Sequence, residues 1–241
     1  MAGLRDRKAS RHAALPGPDE KVAAVDAMFD TIAPRYDRLN RILTLGLDVA
    51  WRRTAIRELG LDPRAHPRVL DIACGTGDFC REIVAGGGTA IGLDRSSGML
   101  TAATRAHSPL VRGDGLALPV RDGAFDGITC GFALRNVVAL DPLFEECARA
   151  LKPGGRVAFL EVAEPEWALA RVGHRMYFRH VVPFVGGLLS NRAAYRYLPD
   201  STAYLPAPAE LTARLTAAGF VHVTRRLLGL GAAQLLCGTA A

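Results

Sequence analysis

The run LDIACGTGDF places Gly75, Thr76 and Gly77 directly behind a short apolar stretch, and Asp94 closes a second such stretch 19 residues beyond Gly75. Glycines at that point let backbone amides approach a bound molecule that a Cβ would hold away. An acid at the end of the next strand is placed to accept hydrogen bonds from both hydroxyls of a ribose. Asp114 closes a third stretch, PLVRGD, and Gly115 follows it. There a carboxylate, or the backbone beside it, could meet the exocyclic amine of an adenine. Asp71 and Asp78 bracket the glycine loop with further negative charge. Together these residues outline a nucleoside site.

A dinucleotide is a poor match. Its pyrophosphate fingerprint wants a third glycine where this chain has Cys80, and Asp78 would oppose a phosphate at the start of the following helix. A nucleoside with a cationic end fits better. S-adenosylmethionine carries no phosphate, and its amino group can meet a carboxylate. Asp71 also reads as a solvated turn acid and Asp78 as a helix cap.

The segment ITCGFALRNVV, residues 128–138, is apolar on both sides of Arg135 and Asn136. Burying an unpaired guanidinium is costly, so this pair needs a polar purpose. Both follow the carboxyl end of an expected fourth strand, beside the ligand crevice of an open sheet, where they would face substrate. The alternative is a structural arginine bonding helix-end carbonyls.

The elements that must position these residues can be read from the periodicity. RVLDIA (68–73), TAIGLD (89–94), PLVRGD (109–114), FDGITCGF (125–132) and GRVAFLEVA (155–163) are short apolar runs of the kind that form buried parallel strands. Helix-length segments separate most of them, which predicts a doubly wound α/β sheet. Val22 to Leu59 is helical in pattern. Asp141 suits an N-cap with Pro142 at the first helical position, and KPGG stops that helix. A last helix is expected near 208–218, and two further strands beyond it would pair as a hairpin at one edge of the sheet.

The chain has 241 residues, 49% of them hydrophobic, enough for the core of a single folded unit. Residues 1–20 read as a disordered basic tail and 21–241 as one domain. No apolar run is long enough to span a bilayer, and no hydrophobic stretch follows the basic N-terminus as in a signal peptide, so the expected location is cytoplasmic. Five scattered cysteines without a C-x-x-C pair read as reduced core residues. The histidines lack ligand spacing, so no metal is expected. The formal charge of +6 is mostly arginine. It suits nucleic acid, anionic lipid headgroups or an ordinary solvated surface.

With these motifs in view, the chain resembles the ubiquinone/menaquinone biosynthesis C-methyltransferase family over about residues 22 to 238. MFDTIAPRYDRLNRILTLGLDVAWRR looks like that family's opening segment and LDIACGTGD like its cofactor loop. GDGLALPVRDGAFDGITCGFALRNV is similar to its fourth-strand region, RALKPGGRVAFLE to its fifth-strand motif, and YRYLPDSTAYLPAPAELTARLTAAGF to its C-terminal part. FALRNV is the most specific of these. The resemblance implies a Rossmann-like class I methyltransferase fold: a mostly parallel, seven-stranded sheet with a C-terminal antiparallel hairpin. It implies cofactor contacts at Thr76, Asp94, Asp114 and Gly115. This chain departs from the family in having Gly131 and Ala163 for serines, Ala133 for a glycine, and Gly229 and Leu236 near the end.

The implied reaction is methylation of a ring carbon of a lipophilic prenylated quinol, demethylmenaquinol or the benzoquinol of ubiquinone synthesis. Such a ring becomes nucleophilic as a phenolic proton leaves, and a guanidinium with an amide beside it can stabilise and orient the phenolate. Arginine is too weakly acidic to act as the base itself. Arg135 and Asn136 therefore read as the catalytic pair, with Tyr36 in the same network. Residues 167–206 hold Trp167, Tyr177, Phe178, Phe184, Tyr195, Tyr197 and Tyr204, interleaved with arginines. They read either as a helical lid and lipid groove or as an ordinary helical core. With the lid reading comes reversible contact with the inner face of a membrane. Nucleic acid is not an expected partner, because the Asn/Asp-Pro-Pro-aromatic element that holds a flipped base is missing after the fourth strand. A tailoring enzyme for a soluble aromatic metabolite stays open, as do a nucleoside-binding regulator and a homodimer.

Overall fold

The computed structural model describes residues 18–182, 184, 185 and 201–241. Seven strands form one sheet: β1 Arg68–Ile72, β2 Thr89–Asp94, β3 Leu110–Arg112, β4 Phe125–Gly131, β5 Leu151–Val162, β6 Phe220–Leu228 and β7 Ala233–Ala240. Their order is β3-β2-β1-β4-β5-β7-β6. The first five are parallel, and β7 runs antiparallel between β5 and β6. The expected hairpin therefore exists, with β6 on the edge and β7 inside the sheet. The direction of winding reverses between β1 and β4, which opens a crevice at their carboxyl ends.

Side chains that alternate along each strand divide the core between the two faces. Leu70, Ile128 and Phe159 pack with α6 (Leu140–Ala150) and α8 (Pro208–Ala217). Val69, Ala158 and Leu160 pack on the other face with α3 (Leu47–Glu58) and α4 (Asp78–Ala85). A third cluster joins α1 (Pro18–Ile32) and α2 (Tyr36–Leu43) to α5 (Ser97–Ala102).

Three local expectations need adjusting. Residues 18–20, read as tail, already belong to α1. Asp141 does not cap α6, because the helix starts two residues earlier than expected, at Leu140, with Ala139 at the cap position. Both Asp141 oxygens instead meet Arg214 Nη1 at 2.9 Å. The KPGG segment ends α6 but is absorbed into β5, where the register against β4 shifts.

The 167–206 segment begins as α7 (Ala168–Met176) and continues in a wider turn, Tyr177–Val181. Arg192, Tyr195, Arg196 and Tyr197 lie outside the described residues. Tyr177 and Phe178 pack against the α1–α2 cluster, and the Tyr177 hydroxyl donates to the Leu43 carbonyl at 2.8 Å. Among the described residues, α1 and the start of α2 supply Val25, Asp26, Phe29 and Tyr36 to the wall of the crevice.

Candidate functional site

Gly75 and Gly77 adopt left-handed backbone conformations, with φ of 54° and 82°. At Gly77 a Cβ would sit 2.5 Å from that of Ala106, so no side chain fits the turn. The loop opens a cleft of about 940 Å³ at the carboxyl ends of β1, β2 and β4. Asp94 stands on its wall at the end of β2. One carboxylate oxygen accepts from the Gly75 amide at 2.7 Å and the other from the Ser96 amide at 2.8 Å. Burial raises this carboxyl above the usual aspartate range, against the pull of those two amides. Each oxygen keeps a second lone pair for a ligand.

Asp114 and Gly115 stand on the same wall. One Asp114 oxygen accepts from the Leu116 amide at 3.0 Å, and the other pairs with Arg95. Arg95 also reaches Asp26 on α1 at 3.3 Å. Asp30, one turn further along α1, accepts from the Ser96 hydroxyl at 2.5 Å and the Gly98 amide at 2.9 Å. Those bonds hold its carboxyl below the usual range. Two acids of α1 thus pin this helix to the rim beside Asp94.

Asp71, Thr76 and Gly77 do not line the cleft. Asp71 is buried beneath it, accepting from the Thr129 hydroxyl at 2.9 Å with the Cys80 thiol at 3.7 Å. Desolvation lifts its carboxyl to about 7. Thr76 donates its hydroxyl to Asp37 on α2. Behind the loop lies a charged network. Arg52 pairs with Asp48 and, at 3.1 Å, with Asp78; Arg41 joins the same two acids, and Arg81 joins Asp78 and Asp37. Asp78 is therefore an ion-pair hub, neither a free acid nor a cap.

A second chamber of about 720 Å³ adjoins the cleft. Phe29, Tyr36, Phe132 and Asn136 line both spaces. Arg135 lines the second only and is 5% exposed, so its side chain turns inward instead of toward the first cleft. Its Nη1 donates to the Phe132 carbonyl at 2.7 Å and pairs with Glu161, and its Nε donates to Ser201 at 3.1 Å. The geometry holds both readings of this residue, since it bonds a backbone carbonyl and also faces a cavity. Leu43, Trp51, Val162 and Val182 give the chamber an apolar lining. Gly131 has no room for the family's serine: a Cβ there would lie 2.7 Å from the Phe79 ring.

Sequence reasoning missed Glu161, the α1 acids and the Arg41–Arg52–Arg81 network. The charges of the network had a signal in the dense alternation of Asp and Arg over residues 35–53, but their partners lie far along the chain. Among the described residues no group of His, Cys, Asp or Glu is arranged to hold a metal ion, and no helix is long and apolar enough to cross a membrane.

Comparison with known proteins adds to this geometry. The model of the ubiE/COQ5 methyltransferase family matches residues 18–240. A demethylmenaquinone methyltransferase of Roseiflexus sp. (strain RS-1) is 44% identical over 235 residues, covering 93% of this chain and 96% of its own. A ubiquinone/menaquinone biosynthesis C-methyltransferase UbiE of Syntrophotalea carbinolica is 41% identical, covering 92% and 94%. Among solved structures, a SAM-dependent methyltransferase of Thermotoga maritima, a possible histamine N-methyltransferase, superposes with a TM-score of 0.64 at 19% identity. The superposition covers 89% of this chain and 99% of that one, and at that identity it speaks for the fold alone.

Proposed function

The chain belongs to the ubiE/COQ5 methyltransferase family, and from that premise we propose that it methylates a ring carbon of a prenylated quinol, with demethylmenaquinol as the acceptor. S-adenosylmethionine is the methyl donor, and when bound it supplies an electrophilic methyl group on a sulfonium. The residues present fit it: a side-chain-free turn at Gly75, the Asp94 carboxylate with its free lone pairs, Asp114 and Asp26 beside it as partners of Arg95, and apolar contacts from Phe29 and Met99. The observation that carries the acceptor reading is that a second space adjoins the cleft, with Phe29, Tyr36, Phe132 and Asn136 lining both. The naphthoquinol is preferred over the benzoquinol because the more similar of the two relatives above bears its name.

In this reading Asp94 holds the ribose, and Asp114 with Gly115 borders the adenine. Asn136 and Tyr36, facing both chambers, orient the acceptor hydroxyl. The Arg135 guanidinium would stabilise negative charge on that oxygen as the acceptor ring becomes nucleophilic toward the methyl group that the bound donor would supply. One proton leaves the acceptor per turnover. A guanidinium gives up its own proton too reluctantly to take this one, so Arg135 serves as a charge stabiliser and not as the base.

Contact with a membrane surface is the companion proposal. Trp167 and Leu169 are 84% and 87% exposed, and Val172, Met176 and Phe184 are exposed with them, beside Arg175 and Arg179. A helix presenting apolar side chains among arginines suits the interface of an anionic bilayer.

The test is an anaerobic assay with labelled methyl donor and a short-tailed demethylmenaquinol, its benzoquinol counterpart and a tail-less phenol, read by mass spectrometry. The expected product is C-methylated menaquinol with one S-adenosylhomocysteine formed per methyl. Transfer to the tail-less phenol alone overturns the prenyl-quinol reading in favour of a soluble aromatic acceptor.

A further inference from the structure

Glu161, at the carboxyl end of β5, has no role in the reading above, yet it is entirely withdrawn from water. A carboxylate so buried is costly unless several donors meet it. Here Oε2 accepts from the backbone amide of Arg135 at 3.2 Å, while Oε1 accepts from Arg135 Nη1 and from the Val162 amide at 2.8 Å. Two of those donors belong to one residue, so Glu161 grips Arg135 at the main chain and at the guanidinium together. Apolar residues hold a strand end to the following turn at no greater cost than a buried ion pair, so packing alone is a weak reason for the charges. The Phe132 carbonyl and Ser201 complete the cradle.

We infer that Glu161 is the positioning residue for Arg135, fixing the guanidinium in the wall of the second chamber before any charge develops on the acceptor. This rests on the reading of that chamber as the acceptor's place. A guanidinium held there needs no reorganisation as the acceptor oxygen becomes anionic, and such preorganisation is what makes a donor effective. Glu161 touches neither chamber, so it acts only through Arg135.

The experiment uses the full chain with a short-tailed demethylmenaquinol and S-adenosylmethionine. E161Q keeps the size of the side chain and an acceptor for the Arg135 amide but loses the charge. Its kcat is expected to fall at least ~10-fold, with acceptor KM and donor affinity nearly unchanged. R135A/E161Q should be no slower than R135A, because Glu161 has nothing left to position. Guanidinium ion at millimolar concentration, far below the denaturing range, should restore part of the turnover of R135A and none to R135A/E161Q. Wild-type kcat in E161Q, a multiplicative loss in the double variant, or equal rescue of both Arg135 variants overturns the inference. Where E161Q alone does not fold, because it leaves the Arg135 charge buried and unpaired, the rescue comparison decides, since R135A/E161Q carries no such charge. A wild-type protein that does not methylate the quinol sinks the acceptor reading itself, whereas quinol turnover unimpaired in E161Q sinks this inference alone.

Discussion

The hydroxyl of Thr76, in the glycine loop, donates to the carboxylate of Asp37 on the second helix. The glycine loop is thereby tied to α2, with Arg81 bonding the Thr76 carbonyl at 3.2 Å and lying 3.7 Å from Asp37. T76V and D37N should each weaken S-adenosylmethionine binding several-fold by loosening the loop, and the double variant should weaken it no further than the worse single one. Calorimetry on the three proteins checks this. Additive losses would show that the two residues act separately.

Replacement of Asp94 should be felt in donor affinity first. If Asp94 holds the ribose as proposed, D94A removes two charge-assisted hydrogen bonds, and affinity should fall at least ~10-fold. The raised pKa of this buried carboxyl gives a second signature. Protonation withdraws acceptor capacity, so wild-type affinity should decline on acidification at a higher pH than an exposed aspartate would cause, and the decline should be missing in D94N.

R135A and N136A should spare donor binding and slow the reaction. Loss of one preorganised donor costs ~10²-fold or more in kcat. Pre-steady-state methyl transfer is the measurement. Normal turnover with a lowered melting temperature would leave Arg135 a purely structural role.

Asp71 predicts a pH dependence of stability. Its folded pKa of about 7 lies above the unfolded value of ~3.9. A group shifted upward contributes stability that is present in full below the unfolded value and is lost as pH rises through the folded one. D71N keeps an acceptor for Thr129 without the ionisation. Its melting temperature relative to wild type should therefore climb between pH 5 and 8, an interval that brackets the folded value. A constant difference across that range refutes the assignment.

Serine substitution of Leu169, Val172 and Met176 together should reduce sedimentation with anionic vesicles while leaving donor affinity unchanged. Attachment of the wild type should weaken with salt, since each basic residue near the surface contributes only ~1 kcal/mol. Salt-independent absence of binding in the wild type would remove the membrane reading.

The strands and the positions at their ends were legible because burial on both faces leaves a continuous apolar run, and an acid closing such a run stands out. Asp94 and Asp114 were readable for that reason, and the chain topology carries them to one wall. Asp71 reads alike in sequence, yet it sits one step too deep: alternation along β1 turns its side chain toward Thr129 on the neighbouring strand. Arg135 was visible as a polar break in an apolar segment. Glu161 was not, because its charged partner is 26 positions away and only the β4–β5 pairing brings them together. The Asp141 cap failed by two residues of helix phase, with Arg214 of α8 the competing partner.

The placement of β7 inside the sheet bears on how the molecule is made. β5 pairs along most of its length with residues 233–239, so Arg156 must wait for Thr239 before its strand is covered. Until then β5 is an open, apolar edge on a half-built sheet, able to pair with any extended chain it meets. Contacts between residues so distant in sequence form slowly. Refolding should therefore be limited by docking of the β6–β7 hairpin, and a lesion in β7 such as L236P should appear first as aggregation of newly made chains, before any loss of methyl-donor affinity can be measured.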